Sequence, residues 1–193
     1  MKILLFTLAM LILLPIKVQI QQAGASRTQQ FHPNLKIDAE LFNNAQSSPI
    51  TDTLPINQSE LECLQKNIYF EAAVESTAGK LAVAHVTSNR VKSKNYPNSY
   101  CGVVYEGRHF ADGFPKRDQC QFSWYCDGKH DNPYPGPTWE ATKTLARYYY
   151  THKHHLRDLT DGATHYYADY IPEPRWAKYK EKTVKIDTHI FYR

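Results

Sequence analysis

Between Ser59 and Val91 the chain reads SELECLQKNIYFEAAVESTAGKLAVAHVTSNRV, and its apolar residues recur at helical intervals. Leu61, Leu64, Ile68 and Ala72 lie three or four apart, which turns one face of a first helix inward. Ser59, with Glu62 three residues on, is a capping-box start for that helix. Ser76-Thr77 and Gly79 interrupt the pattern. A second helix follows, with Leu81, Ala82, Val83, Val86 and Val91 inward and Asn89 and Arg90 as its polar end. Glu71 departs from this scheme. At 100° per residue it falls about 20° beyond Leu64, on the shoulder of the apolar stripe rather than opposite it.

The remaining pattern is more broken. YPNSYCGVVYEG turns at Tyr96-Pro97 and carries a short apolar run through Val103, Val104 and Tyr105; residues 107–118 show no period and read as a loop. The proline-rich NPYPGP delivers another helix with Pro137 in its first turn, and Trp139, Thr142, Leu145, Ala146 and Tyr149 form its buried face. Asp161-Gly162 is a turn, ATHYYA alternates like a strand, and Pro172 and Pro174 interrupt before Trp176. TVKIDTHIFYR alternates as one or two strands with Ile186, Ile190 and Tyr192 inward. The predicted fold class is α+β, mainly helical, with a small antiparallel sheet near the C-terminus.

The first residues change the picture of where this domain works. Met1-Lys2 precedes an apolar run from Ile3 to Leu14 broken only at Thr7, and Ala23-Gly24-Ala25 supplies a cleavage site. That run is shorter than the roughly 20 residues a membrane-spanning helix needs. Residues 1–25 therefore read as a signal peptide that exports the protein, with an uncleaved N-terminal membrane tether as the rival. Residues 26–58, rich in Gln, Asn, Ser and Pro, read as a flexible polar linker, and residues 59–193 as the folded domain.

Export bears on the cysteines. Cys63, Cys101, Cys120 and Cys126 all follow the signal, and an even count in an exported chain implies disulfides, with three connectivities open. Their spacing contains no Cys-x-x-Cys, which argues against zinc. The histidines at His152, His154 and His155 suit the negative end of a helix without a metal. No metal or cofactor is expected, and the domain reads as a monomer. The formal charge of +4, lowered further if Lys2 and Lys17 leave with the signal, is too mild for a nucleic-acid partner. Fourteen tyrosines suit a surface that handles sugars or peptides.

Glu71 is the candidate for chemistry. Lost hydration on the edge of the stripe raises a carboxyl pKa and keeps it protonated toward neutrality, the state a general acid needs. Glu75, one turn later on the same side, is expected to raise it further by like-charge repulsion. The plainer reading is a helix-edge acid bound to a lysine or to water.

Taken together, NIYFEA (67–72), GKLAVAHVTSNRV (79–91), YPNSYCGVVYEG (96–107), QFSWYCDG (121–128), GATHYYA (162–168) and THIFYR (188–193) resemble, in order, the catalytic domain of spore cortex-lytic enzymes and related bacterial cell wall hydrolases of the SleB type. The resemblance implies a lysozyme-like, mainly helical domain that cleaves the glycan strands of peptidoglycan, with Glu71 as the catalytic residue. It also implies that Gln121, Ser123, Thr164, His165 and Tyr166, together with Glu75, contact substrate. Where the family carries Arg-Gly after the catalytic Glu-Ala, this chain has Ala73-Val74, which removes whatever contact that arginine makes.

A lytic transglycosylase needs one acid/base, because the sugar's own 6-hydroxyl is the nucleophile and an anhydro end results. A hydrolytic muramidase or glucosaminidase needs a second carboxylate, for which Glu75 and Asp127 are the candidates. Other classes that fit are an N-acetylmuramoyl-L-alanine amidase and a non-catalytic peptidoglycan-binding module. Spore germination, wall remodelling and phage lysis all accommodate such a domain.

Overall fold

The computed structural model describes residues 56–193. The predicted signal peptide (1–25) and all but the end of the predicted linker (26–58) lie outside those residues. Helix α1 spans Gln58–Ala72, α2 Thr77–Lys92 and the short α3 Tyr100–Val104. Strands β1 (Gly107–His109) and β2 (Pro115–Cys120) follow, then a 3-10 turn at Ser123–Cys126 and helix α4 at Pro137–His152. Strand β3 (His165–Ala168), a second 3-10 turn (Arg175–Tyr179), β4 (Lys182–Ile186) and β5 (His189–Tyr192) complete the chain. This is the mainly helical α+β architecture the pattern predicts.

Asn57 rather than Ser59 caps α1. Its extended backbone presents a side-chain oxygen that accepts from the Glu60 N–H at 3.3 Å and from Ser59 Oγ at 2.8 Å. Ser59 and Glu62 then lie inside the helix, and Glu62 pairs with Lys66 one turn on at 3.7 Å. The predicted stripe is the core: Leu61, Leu64 and Ile68 are fully buried and Ala72 nearly so. The predicted face of α4 is buried through Thr142, Leu145, Ala146 and Tyr149, with Trp139 half-exposed.

Helix α2 packs against α1, α3, α4 and β4. Its polar residues are therefore buried with its apolar ones, and must find partners inside the protein. Asn67 on α1 donates to Thr87 Oγ1 at 3.1 Å and accepts from the Trp124 indole N–H at 3.0 Å, which joins α1, α2 and the first 3-10 turn. Ser88 bonds the hydroxyls of Tyr100 (2.7 Å) and Tyr149 (2.9 Å). Burial pushes the His85 imidazole down to about 4 although Asp158 lies 3.7 Å away. Ser88, His85 and Asp158 are the residue types of a nucleophilic triad, but the Tyr149 hydroxyl stands between His85 and Ser88, and Ser88 is only 2% exposed. This network holds helices together.

Residues 107–118 are not a plain loop. Strands β1 and β2 pair antiparallel across Gly107↔Cys120 and His109↔Pro115. Neither strand has a buried residue, so the hairpin carries no apolar alternation for a sequence reading to detect. Two disulfides resolve the open connectivity. Cys63–Cys101 ties α1 to α3, and Cys120–Cys126 closes β2 onto the 3-10 turn.

The C-terminal sheet has the order β3-β5-β4, antiparallel throughout. The inward set differs from the expected one. Phe191, fully buried, packs with Ala82, Val86 and Ala163, whereas Ile186 and Ile190 are half-buried. Tyr192 is buried beneath Tyr167 and Trp176, so the central strand is covered on both faces. The turn between β4 and β5 latches onto the α1–α2 connection: Asp187 Oδ2 accepts from the Ser76 N–H at 2.9 Å and from Ser76 Oγ at 2.6 Å. Gly79 lies inside α2 beneath this latch. A Cβ there would come within 2.8 Å of Glu75 Cβ and strike the Asp187 carboxylate.

Candidate active site

The last turn of α1 brings the half-buried Glu71 against β3. There the Tyr166 hydroxyl donates to Glu71 Oε2 at 2.8 Å. Tyr166 is placed by its pairing with Phe191, itself buried against α2, so the donor stands on a rigid strand. Arg90, 5% exposed near the end of α2, is the nearby cation. Its Nε donates to the Thr164 carbonyl at 2.8 Å, and its guanidinium lies over the rings of Phe122 (4.7 Å) and Tyr96 (5.4 Å).

These contacts set the state of the acid. Burial pushes the Glu71 carboxyl above the ordinary carboxylate range, while the Tyr166 hydrogen bond and the Arg90 charge pull it partly back. Glu75 plays no part in the rise. Its carboxylate accepts from Thr188 Oγ1 at 2.6 Å and from the Thr188 N–H at 3.3 Å, and so belongs to the latch on the β4–β5 turn. Tyr166 itself is pushed well above the usual phenol range by burial and by the neighbouring Glu71, and stays a proton donor in the hydrogen bond.

A group that must be protonated to act loses activity as pH rises through its pKa. The Tyr166 bond favours the ionised form of Glu71, so removing it raises that pKa. Tyr166→Phe is expected to move the alkaline limb of the kcat/KM–pH profile upward by about one pH unit, the worth of one hydrogen bond to a charged group. An alkaline limb that stays in place, or moves down, contradicts this coupling.

His165, next on β3, is half-buried and pushed down to about 4, by burial first and by the charges of Lys180 and Arg90 next. It is therefore neutral at neutral pH, held between Thr164 Oγ1 (2.9 Å) and the Tyr96 hydroxyl (3.5 Å). Gln121 and Ser123 are exposed and flank the buried Phe122, whose ring lies under Arg90. Asp127 lies away from this arrangement in its bonding: it accepts from the Lys129 N–H at 2.8 Å, and that bond and the Lys129 charge hold it below the usual carboxylate range. Of Ala73-Val74, the valine is 96% exposed.

Two residues in the site were not singled out by the sequence reading. Arg90 looked like a polar helix end, yet its charge acts on Glu71, Tyr166, His165 and Glu106. Glu106 lies just before β1. Its backbone carbonyl accepts from the Gln121 N–H at 2.9 Å, and burial raises its carboxyl pKa against the pull of Arg90. The signal for Glu106 was an acid closing the apolar run Val103-Val104-Tyr105, too common a pattern to single out.

The profile of the cell wall hydrolase family matches residues 74–192, more than half of the chain. The chain belongs to the cell wall hydrolase family. The match begins after Glu71, so the geometry around that carboxyl carries its assignment. Two curated spore cortex-lytic enzymes of Bacillus cereus are each 38% identical to this chain over 60 residues, 30% of this chain and 23% of theirs. The chain thus spans under a quarter of the length of those relatives. The crystal structure of the catalytic domain of the Bacillus cereus SleB protein superposes with a TM-score of 0.55 at 24% identity, covering 76% of this chain and 98% of that one. That is a shared fold.

Proposed function

We propose that this member of the cell wall hydrolase family is a lytic transglycosylase that cleaves the MurNAc–GlcNAc bond of peptidoglycan outside the cytoplasm. The observation that carries the reading is one carboxyl, Glu71, raised by burial and held at 2.8 Å by a tyrosine on a rigid strand. In this mechanism protonated Glu71 gives its proton to the glycosidic oxygen as the bond to the anomeric carbon breaks. The resulting carboxylate, stabilised by Tyr166 and Arg90, takes the proton of the muramoyl 6-hydroxyl as that oxygen closes on the anomeric carbon. The proton count balances, water is not consumed, and Glu71 returns to its starting state.

The hydrolytic alternative needs a second carboxylate for water. Both candidates from the sequence are otherwise engaged, Glu75 by Thr188 and Asp127 by Lys129. The spore cortex-lytic relatives and the two disulfides support a wall substrate and export respectively. Purified protein incubated with peptidoglycan, followed by mass analysis, tests the reading. Transglycosylation leaves anhydro ends lighter by one water. Reducing ends would make the protein a muramidase or glucosaminidase, and release of free peptide stems would make it an amidase.

A further inference from the structure

Two stretches of the chain hold no acid. From Ser76 to Tyr105 and from Ala141 to Arg157 there is no Asp or Glu, while Lys92, Lys94, Arg147, Lys153 and Arg157 supply positive charge. The fold brings the ends of these stretches together. Ser88, near the end of α2, bonds the hydroxyls of Tyr149 near the end of α4 (2.9 Å) and of Tyr100 at the start of α3 (2.7 Å). Asn89 donates to Asp158 Oδ2 at 2.8 Å, which seats the neighbouring Arg157 beside the same end of α2. Lys153 Nζ stands over the rings of Tyr150 (4.1 Å) and Tyr100 (5.9 Å). One end of the molecule therefore gathers Lys92, Lys94, Lys153 and Arg157, with the exposed His154 and His155 in the same connection.

Among the described residues, none of these four cations forms an ion pair with a carboxylate. The nearby acids are engaged elsewhere: Asp158 by Asn89, Thr160 and the Gly162 N–H, and Glu60 by the Tyr100 N–H. Burial and the charge of Lys92 hold the Lys153 ammonium below the usual lysine range, as expected of cations gathered without acids. The helix dipole favours a cation in the last turn of α2 and of α4. It does not account for Lys94 and Arg157, which lie beyond those turns, nor for the missing counter-ions. The exposed large apolar side chains, Phe110, Phe114, Tyr170 and Tyr179 among them, belong to other segments. Such a face suits contact with a polyanion without penetration into it.

The chain enters the domain at this same end. In the first turn of α1 the Glu60 carboxylate accepts from the Tyr100 N–H at 2.6 Å, and the Tyr100 ring lies 5.5 Å from that of Tyr150. The apolar run from Ile3 to Leu14, read as a signal or a tether, lies upstream of that entry point. Glu71 stands three turns along α1 from Glu60, about 16 Å away along the helix axis.

We propose that the face formed by Lys92, Lys94, Lys153 and Arg157 docks the domain on the headgroups of an anionic phospholipid bilayer. A bilayer is favoured over a soluble polyanion because the N-terminal segment joins the domain beside these cations. If that segment is retained it holds this end near a membrane; if it is cleaved the face supplies the contact by itself. The far end of α1, with Glu71, is then left to the wall. The docking is independent of the chemistry assigned to Glu71.

The full chain is titrated with vesicles of mixed phosphatidylglycerol and phosphatidylcholine, and with phosphatidylcholine alone, and the bound fraction is read by sedimentation. The ratio of the two affinities isolates the electrostatic part, whatever an apolar segment adds to both. At low salt the mixed vesicles are expected to bind at least about 100-fold tighter, at about fivefold per cation. In 1 M salt, where the Debye length falls to about 3 Å, the ratio should approach one. Lys92→Ser, Lys94→Ser and Arg157→Ser together should bring the low-salt ratio within about fivefold. Arg175→Ser, Lys178→Ser and Lys182→Ser together remove the same charge from exposed positions of another segment and should change it by less than about threefold. Exchanging Lys92→Arg, Lys94→Arg and Arg157→Lys keeps the charge and should keep the ratio, which separates lost charge from structural damage.

Equal affinity of the wild-type protein for both kinds of vesicle overturns the proposal. Equal losses in the two serine triples overturn it as well, since net charge alone would then explain binding. So does loss in the charge-preserving exchange. A vesicle ratio near one, with binding to soluble polyphosphate or to peptidoglycan that depends on Lys92, Lys94 and Arg157, assigns the face to a polymer and also overturns it. Protein that docks as expected but cleaves no wall polymer refutes the proposed activity and leaves the docking face standing.

Discussion

Glu71→Gln is expected to lower kcat/KM on peptidoglycan by at least about 1,000-fold while leaving the protein folded and able to bind glycan. The loss is large because the glycosidic oxygen is a poor leaving group without a proton, and the side chain that burial keeps protonated is this one. Glutamine keeps the shape and an acceptor for the Tyr166 hydroxyl, which donates at 2.8 Å in the native protein. It removes an acid that burial disfavours in its charged form, so the melting temperature should hold or rise. Turbidity loss of wall suspensions, with melting and pull-down on insoluble peptidoglycan alongside, reads all three quantities. Wall clearance by the variant at near wild-type rate would remove Glu71 from the chemistry. Loss of binding together with activity would make it a contact instead.

The second large effect concerns stability. Replacing both Cys63 and Cys101 by alanine is expected to cost about 4 kcal/mol, the loop-closure entropy of a bridge between residues 38 apart. For a domain of this size that lowers the melting temperature by more than about 10 °C. The bridge fastens α1, which carries Glu71, to α3, where the Glu60 carboxylate also caps the Tyr100 N–H at 2.6 Å. Replacing Cys120 and Cys126, only six residues apart, should cost about 2 kcal/mol. Melting of the two double variants under identical conditions checks the order. A smaller loss at the Cys63–Cys101 pair than at the Cys120–Cys126 pair contradicts it.

Local pattern was enough for the helices. Leu61, Leu64, Ile68 and Ala72 declare the buried face of α1, and Thr142, Leu145, Ala146 and Tyr149 that of α4, because a helix on a core exposes its periodicity directly. The same periodicity placed Glu71 on the edge of the stripe, while its partners Tyr166 and Arg90 come from elements distant in sequence. The β1–β2 hairpin was illegible because it buries neither face. On β5 Tyr192 is buried as expected, but Phe191 was missed and Ile190 over-called, because the strand is covered on both sides, which erases the alternation that marks a half-buried strand.

Charged residues were harder to place. Glu75, expected one helical turn beyond Glu71 on the same side, instead lies past the end of α1 in the connection to α2, and its partner, Thr188, is 113 residues away. Arg90 resembled an ordinary helix end until β3 and Phe122 closed over it. Glu106 acquires its place only when β1, the Gln121 backbone and Arg90 converge.

By itself, then, the order of residues determined the helical frame, the resemblance to a family of wall enzymes, and the one acid set at the edge of an apolar stripe. Those follow from spacing along a single element, where neighbours in sequence are neighbours in space. The tertiary structure alone decided which cysteines pair, that Tyr166 holds Glu71, that Glu75 serves the latch, and that Arg90 bonds the Thr164 carbonyl beside β3. Each of these depends on side chains separated by tens of residues being brought within a few ångströms, and no local period encodes that.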